Sequence, residues 1–263
     1  MTNFSIDIVS DPVCPWCYIG KKRLDKAIAL YQKVYPNGRA DTFTVTWKAY
    51  YLDPSAPARG LPWEERALQK LAPTPPSAIP SASDRERVQQ LRARLARIGQ
   101  QEGVAFSFGG RIGNTRSAHR AIAFGKTQSD PHSNPALETE TEESPAPAHD
   151  RFVMALFAAH FEGTADVTDH ATLADVAASA GLDRARMLAW LDAGEGGDEV
   201  DAEDRAAKAA GLRGVPSFAV QGCRVDGAQD VQDFMELFVK IKEEERARER
   251  EGGDRRVTDG IAA

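Results

Sequence analysis

Phe4-Ser5-Ile6-Asp7-Ile8-Val9 is apolar and β-branched and predicts a buried first strand. An amphipathic stretch, Tyr18 to Tyr31, predicts a helix that the breaker cluster Pro36-Asn37-Gly38 ends. Phe43-Thr44-Val45-Thr46-Trp47 alternates and is rich in β-formers, so it reads as the second strand. A strand–helix–strand unit of this length implies a parallel pair joined by a right-handed crossover. The Pro-rich loop Tyr50 to Pro62 then leaves the sheet.

From Trp63 to Asp192 the pattern is mostly helical. Val88, Leu91, Leu95 and Ile98 recur at three- and four-residue spacing with arginines between them. No aromatic residues interleave, so the arginine face reads as a solvated helix surface, not an RNA site. Arg151 to Phe161, Leu173 to Ala180 (stopped by Gly181) and Met187 to Leu191 predict further helices. Two stretches interrupt them. Ala72 to Pro80 is a Pro-rich connector. Lys126 to Asp150 holds Pro131, Pro135, Pro145, Pro147 and a Glu/Thr run, too little apolar surface to order itself, and reads as a disordered acidic insertion.

Sheet character returns after Val200. Asp201 to Ala210 predicts an Ala-rich helix closed by Gly211, and Gly214 to Val220 leads into a strand. Cys223-Arg224-Val225 is its hairpin partner, turning at Gln221-Gly222. Val231, Phe234, Leu237, Phe238 and Ile241 stripe a last helix. Beyond Glu243 the chain is nearly all charge and is expected to fray. No repeat of fixed period is visible.

With 263 residues, 42% hydrophobic and 27% charged, the chain can bury a full core in one or two domains. Its net charge of -6 argues against a general nucleic-acid or anionic-membrane surface. No apolar run approaches the roughly 20 residues needed to cross a bilayer. The N-terminus lacks a basic region followed by a long apolar one, and carries Asp7 and Asp11 early. Neither a signal nor a transit peptide is expected, and the cytoplasm is the expected location.

Cys14-Pro15-Trp16-Cys17 carries the chemistry. It lies between the first strand and the first helix, so Cys14 falls at a helix start. The free N–H groups and partial positive charge there favour a thiolate. Cys14 is therefore the expected attacking sulfur, with a lowered pKa. Cys17, one turn on, is placed to attack the mixed disulfide and release the substrate. Pro15 suits the first helical turn, and with Trp16 sets the field around the thiols.

Competing readings are weaker. A structural zinc site needs about four Cys or His ligands. The only other cysteine is Cys223, and no histidine pair has finger-like spacing. A static disulfide is disfavoured where no secretory signal is expected. Asp7 and Lys48, on adjacent strands, offer a buried proton relay behind Cys17, though a surface or simply paired role is the favoured reading. Cys223 reads as a buried small hydrophobe, and His119 as a structural histidine that could alternatively line a cleft. Gly109-Gly110-Arg111-Ile112-Gly113 lacks the strand-to-helix context of a nucleotide loop.

Four segments together resemble the DsbA family, and within it the FrnE-like subgroup. They are Ser10-Asp11-Pro12-Val13-Cys14-Pro15-Trp16-Cys17-Tyr18-Ile19-Gly20, Asn114-Thr115-Arg116-Ser117-Ala118-His119-Arg120, Gly214-Val215-Pro216 and Gly227-Ala228-Gln229. The resemblance implies an α/β architecture, a thioredoxin fold interrupted by an all-helical insertion domain. Its thioredoxin-like part would be discontinuous, residues 1–60 and 196–250. The helical part would span 61–195 and contain the acidic loop at 126–150, and 251–263 would be a flexible tail. The family turn before Gly-Ala-Gln usually carries Ser where this chain has Asp226, and Asp53-Pro54 stands where Asn-Pro is frequent.

The resemblance also implies a cis-proline loop at Val215-Pro216. An X-Pro bond is the one peptide bond that reaches cis cheaply. In that form the Val215 backbone would face outward beside Cys14 and pair with a bound peptide or glutathione as an added strand. Asn114, Thr115, His119, Asp226 and Gln229 are the further substrate-binding residues it implies.

The expected function is thiol–disulfide oxidoreduction on protein or peptide thiols and disulfides. No tightly bound cofactor, metal, nucleic-acid or membrane partner is expected, and glutathione enters as a redox partner or co-substrate. A glutathione-dependent kappa-type transferase or hydroxychromene-carboxylate-type isomerase is the alternative, disfavoured because those relatives carry serine where this chain has Cys14. A non-catalytic thioredoxin-like chaperone or binding module is a second alternative, which would need neither thiol.

Overall fold

Every second side chain of β1 (Asn3–Ser10) is buried: Phe4, Ile6, Ile8 and Ser10 face inward, while Asn3, Ser5 and Asp7 are exposed. The strand is thus half-buried rather than buried, because only one face of its sheet is covered by apolar packing. The computed structural model describes residues 1–71, 80–128 and 147–259. Helix α1 (Pro15–Val34) returns the chain to β2 (Thr42–Ala49), which pairs parallel to β1 from Asn3 opposite Thr42 to Ser10 opposite Ala49. Antiparallel β5 (Ser217–Val220) lies on the other side of β1, and β6 (Cys223–Asp226) outside it, giving the order β2-β1-β5-β6. The hairpin turns at Gln221 (φ 49) and Gly222 (φ 82), the paired left-handed conformation that matches strand twist.

α9 (Val231–Asp259) packs along α1. Their seam with the sheet is aromatic: all six ring pairs among Phe4, Tyr31, Phe43 and Phe238 have centroids 4.8–5.8 Å apart. Such pairs each add about 0.5–1.5 kcal/mol beyond area burial. The helix does not end where its apolar stripe ends. It runs on to Asp259, and Glu243–Arg246 and Glu244–Arg248 pairs show how this charged stretch supports itself as a helix.

Between β2 and β5 lie β3 (Leu61–Pro62), α2 (Trp63–Leu71), α3 (Ala82–Glu102), β4 (Arg111–Ile112), α4 (Arg116–Thr127), α5 (Ala148–Phe161), α6 (His170–Ser179), α7 (Arg184–Asp192) and α8 (Gly197–Ala209). The β3–β4 pair is absent from the sequence reading because two residues show no period. The Pro-rich connector and most of the expected acidic loop at 126–150 lie outside the described residues. Both ends of that loop are helical instead: α4 reaches Thr127, and α5 starts at Ala148, which is buried.

A buried charge network locks the helices to the sheet. Lys21 Nζ of α1 donates to Asp25 (2.6 Å) and Asp150 (3.0 Å), and Trp47 Nε1 of β2 donates to the other Asp150 oxygen at 2.9 Å. No helix among the described residues is long and apolar enough to cross a bilayer.

Candidate functional site

β1 ends at Ser10, and the loop Asp11–Val13 delivers Cys14 to the N-cap of α1, with Pro15 in its first turn. The Cys14 carbonyl accepts the Cys17 N–H at 3.0 Å, which places the second thiol one turn into the helix. Both are free thiols and both are buried, Cys14 at 3% exposure and Cys17 at 0%. Burial, reinforced by the Cys14 thiol and the Asp11 charge, holds the Cys17 thiol well above the ordinary range. Cys17 is therefore protonated at neutral pH and needs a base before it can attack.

Across the cleft the Val215-Pro216 peptide is cis, and the Cys14 thiol donates to the Val215 carbonyl at 3.5 Å. The loop is braced from behind. Gly227 N–H donates to the Pro216 carbonyl at 2.8 Å, with Gly227 at φ 81, a conformation glycine adopts freely. Asp226 accepts from Ser217 Oγ and Arg224 Nε, both at 2.7 Å, and Gln229 Nε2 donates to the Asp226 carbonyl. Asp226 and Gln229 thus hold the turn that abuts Pro216. Arg23 of α1 anchors the same turn through the Ala228 and Gln229 carbonyls.

Trp16 is half-buried and packs both on the main core and on the smaller cluster of Trp63, Val88 and Leu95 formed by α2 and α3. Its ring joins the Cys14–Cys17 segment to that helical hairpin.

The segment from Asn114 to Arg120 works chiefly as a bracket. Asn114 Oδ1 accepts the Arg116 N–H at 2.9 Å, and its own N–H donates to the Pro57 carbonyl. Arg116 pairs with Asp201, and Arg120 donates to the Trp190 and Leu191 carbonyls in the last turn of α7 and to the Glu195 carbonyl just beyond it. His119 is buried, with Nε2 3.3 Å from the Tyr50 carbonyl, and burial pushes its pKa down to about 4, so it is neutral at pH 7. Thr115 is buried, and its side chain favours the ionised form of Asp11.

Asp11 is the residue that sequence reasoning missed. It is 1% exposed, and its two carboxylate oxygens accept the Val13 N–H (3.2 Å) and the Leu52 N–H (2.8 Å), while its carbonyl accepts the Cys14 N–H (2.9 Å). Burial raises its pKa to about 6, against the pull of those N–H groups, Thr115 and Lys70. An acid directly after the first strand and three residues before a cysteine was the available signal. Asp7 and Lys48, by contrast, form no relay: Asp7 is exposed, and Lys48 sits 3.6 Å from Glu203. Asp7 points outward because it lies on the uncovered face of the alternating strand. Cys223 is exposed at the outer strand and is not a core residue, because β6 is the sheet edge.

A family model described as a DSBA-like thioredoxin domain matches residues 5–239. Among solved structures, a "probable DsbA oxidoreductase" from Streptomyces coelicolor is 26% identical, with 90% of this chain and 89% of that one covered and a TM-score of 0.69. A 2-hydroxychromene-2-carboxylate isomerase is 17% identical, covers 95% and 98%, and gives 0.54. The cytosolic disulfide reductase DsbM of Pseudomonas aeruginosa is 15% identical, covers 90% and 98%, gives 0.51, and has also been solved with glutathione. The last two show a shared fold. No curated protein matches significantly.

Proposed function

The chain belongs to the DSBA-like thioredoxin domain family, and on that footing we propose that it exchanges disulfides with protein or peptide thiols through Cys14 and Cys17. The observation that carries the reading is Cys14 at a helix N-cap, its sulfur 3.5 Å from the Val215 carbonyl, with a second thiol one turn behind. A binding module would need neither sulfur.

In the reductive direction the Cys14 thiolate attacks one sulfur of a substrate disulfide. The Cys14–sulfur bond forms as the substrate S–S bond breaks, and the leaving thiolate takes a proton. Cys17 then gives up its proton and attacks Cys14 Sγ. The second substrate thiol leaves, and the Cys14–Cys17 disulfide holds the oxidation equivalent. Oxidation of a substrate dithiol is the same sequence reversed, and the couple's potential against its compartment sets the direction. The Val215 backbone is the docking edge for the extended substrate chain, presenting its sulfur to Cys14. Glutathione is a candidate to reset the pair, with its cysteine backbone on the same edge. The four matching sequence segments support the FrnE-like subgroup as the finer placement.

The test is a redox titration in glutathione buffers, read by Trp16 fluorescence, alongside turnover of a dye-labelled peptide disulfide. Reversible two-electron behaviour lost in Cys14→Ser supports the proposal. Turnover that survives in Cys14→Ser removes it.

A further inference from the structure

Although the protein carries a net charge of -6, arginines without carboxylate partners among the described residues stand beside its Cys14 site. From Arg87 to Gln101, α3 holds Arg87, Arg92, Arg94 and Arg97 and no acid. Arg94 sets its guanidinium 5.9 Å from the ring centroid of Trp16, the residue between the two cysteines, and Arg92 lies 5.2 Å from the Phe108 ring. Among the described residues, Arg92, Arg94 and Arg97 have no carboxylate partner. Arg213, exposed and among the described residues equally without a carboxylate partner, stands two residues ahead of Val215 in the loop that faces Cys14.

Three acids around the site are already engaged, while Glu64 and Glu65 at the start of α2 are exposed and lack an ion pair among the described residues. Asp11 is buried on backbone N–H groups, Asp53 is shared by Arg66 and Lys70, and Asp226 is held by Arg224. Arg94 beside Trp16 and Arg213 just ahead of the docking edge are thus free to meet a carboxylate. Guanidinium groups held on aromatic faces are fixed in place yet keep their donors for a carboxylate.

Resting on the oxidoreductase reading, we propose that Arg94 and Arg213 select disulfides flanked by carboxylates. The chemistry fits an acidic peptide around the substrate cysteine or the terminal carboxylates of a small thiol such as glutathione. Arg94 acts on the Trp16 flank of the bound strand and Arg213 on the flank of the Val215 loop.

The experiment compares three dye-quenched peptide disulfides, identical except for Asp, Asn or Lys beside the cysteine, together with glutathione disulfide. It uses wild type, Arg94→Glu, Arg213→Glu and the double variant. Wild-type kcat/KM is expected to favour the Asp peptide over the Lys peptide about tenfold at about 0.01 M ionic strength, falling toward parity at about 0.5 M. The double variant should reverse the order, with the Asn peptide and the alkylation rate of Cys14 nearly unchanged. A loss shared by glutathione disulfide places the selected carboxylate within one residue of the sulfur, and a loss confined to the Asp peptide places it farther along a chain. Charge-blind turnover in wild type, or an order unchanged in the double variant, overturns the inference. Failure to turn over even the Asn peptide strikes the oxidoreductase reading itself.

Discussion

Cys14 Sγ stands 3.5 Å from the carbonyl oxygen of Val215, a residue 201 positions farther along the chain. The contact joins the two halves of the sheet domain at one point, the helix start after β1 and the loop before β5. A sulfur held there faces the backbone edge on which a substrate strand can pair. Cys17 lies one turn deeper with no exposed surface, against 3% for Cys14, so in the proposed exchange Cys14 is the thiol that meets the substrate first.

That order predicts different outcomes for the two serine variants. Cys14→Ser should lower exchange to background, while Cys17→Ser should accumulate mixed disulfides on Cys14. Non-reducing gels and intact mass, before and after dithiothreitol, read both. Faster alkylation of Cys17 than of Cys14 at neutral pH would reverse the assignment.

Gly20 sets how closely α1 approaches the cis-proline loop. A Cβ there would lie 3.0 Å from Phe218 Cζ and 3.3 Å from Pro216 Cγ. Gly20→Ala gains about 1 kcal/mol of helix propensity and loses about 1–3 kcal/mol to overpacking. The net expectation is a loss of about 1 kcal/mol in urea unfolding, with exchange slowed more than Cys14 alkylation. A stabilised variant with unchanged exchange would show that the loop yields freely.

Asp150 ties α5 to α1 and β2 through Lys21 and Trp47. Asp150→Ala strands a buried ammonium with Asp25 as its remaining carboxylate and leaves the indole N–H unpaired. Removing one partner of a buried pair costs about 3–5 kcal/mol. Asp150→Asn keeps an acceptor for Trp47 and should cost less. Equal midpoints for the two variants in denaturant would mean the charge contributes nothing.

Short-range pattern carried most of the fold. The alternation in β1, the breakers after α1 and the turn at Gln221-Gly222 each act within a few residues, so the strand–helix–strand and hairpin–helix units could be read directly. Cys14 and Cys17 were legible for the same reason, since their spacing is local. Asp11 was not, because its meaning comes from partners brought in by folding: Leu52 lies 41 residues on, and Thr115, just ahead of α4, lies 104 residues on. The contact of Arg94 with Trp16 likewise depends on how α3 packs. Cys223 was misplaced because hydropathy cannot tell an edge strand from a central one.

The last prediction turns on Asp11. Its folded pKa of about 6 lies above the ordinary carboxylate value of 3.8, so the folded chain holds this proton more tightly than the unfolded chain. The group's contribution is fully present below the unfolded value and is lost as pH rises through about 6, roughly 3 kcal/mol in all. Asp11→Asn should flatten the stability profile over that window, whatever it costs in hydrogen bonds to Val13 and Leu52. Exchange should run the other way. The Asp11 charge acts on the Cys17 thiol, so the ionised carboxylate, present above about pH 6 and lost below it, is the expected proton acceptor for that thiol. Single-turnover release of the mixed disulfide should therefore rise through about pH 6 in the wild type and lose that inflection in Asp11→Asn, with formation of the mixed disulfide less affected. A release step in Asp11→Asn that keeps the inflection would place the proton acceptor elsewhere and leave Asp11 as a brace for the loop.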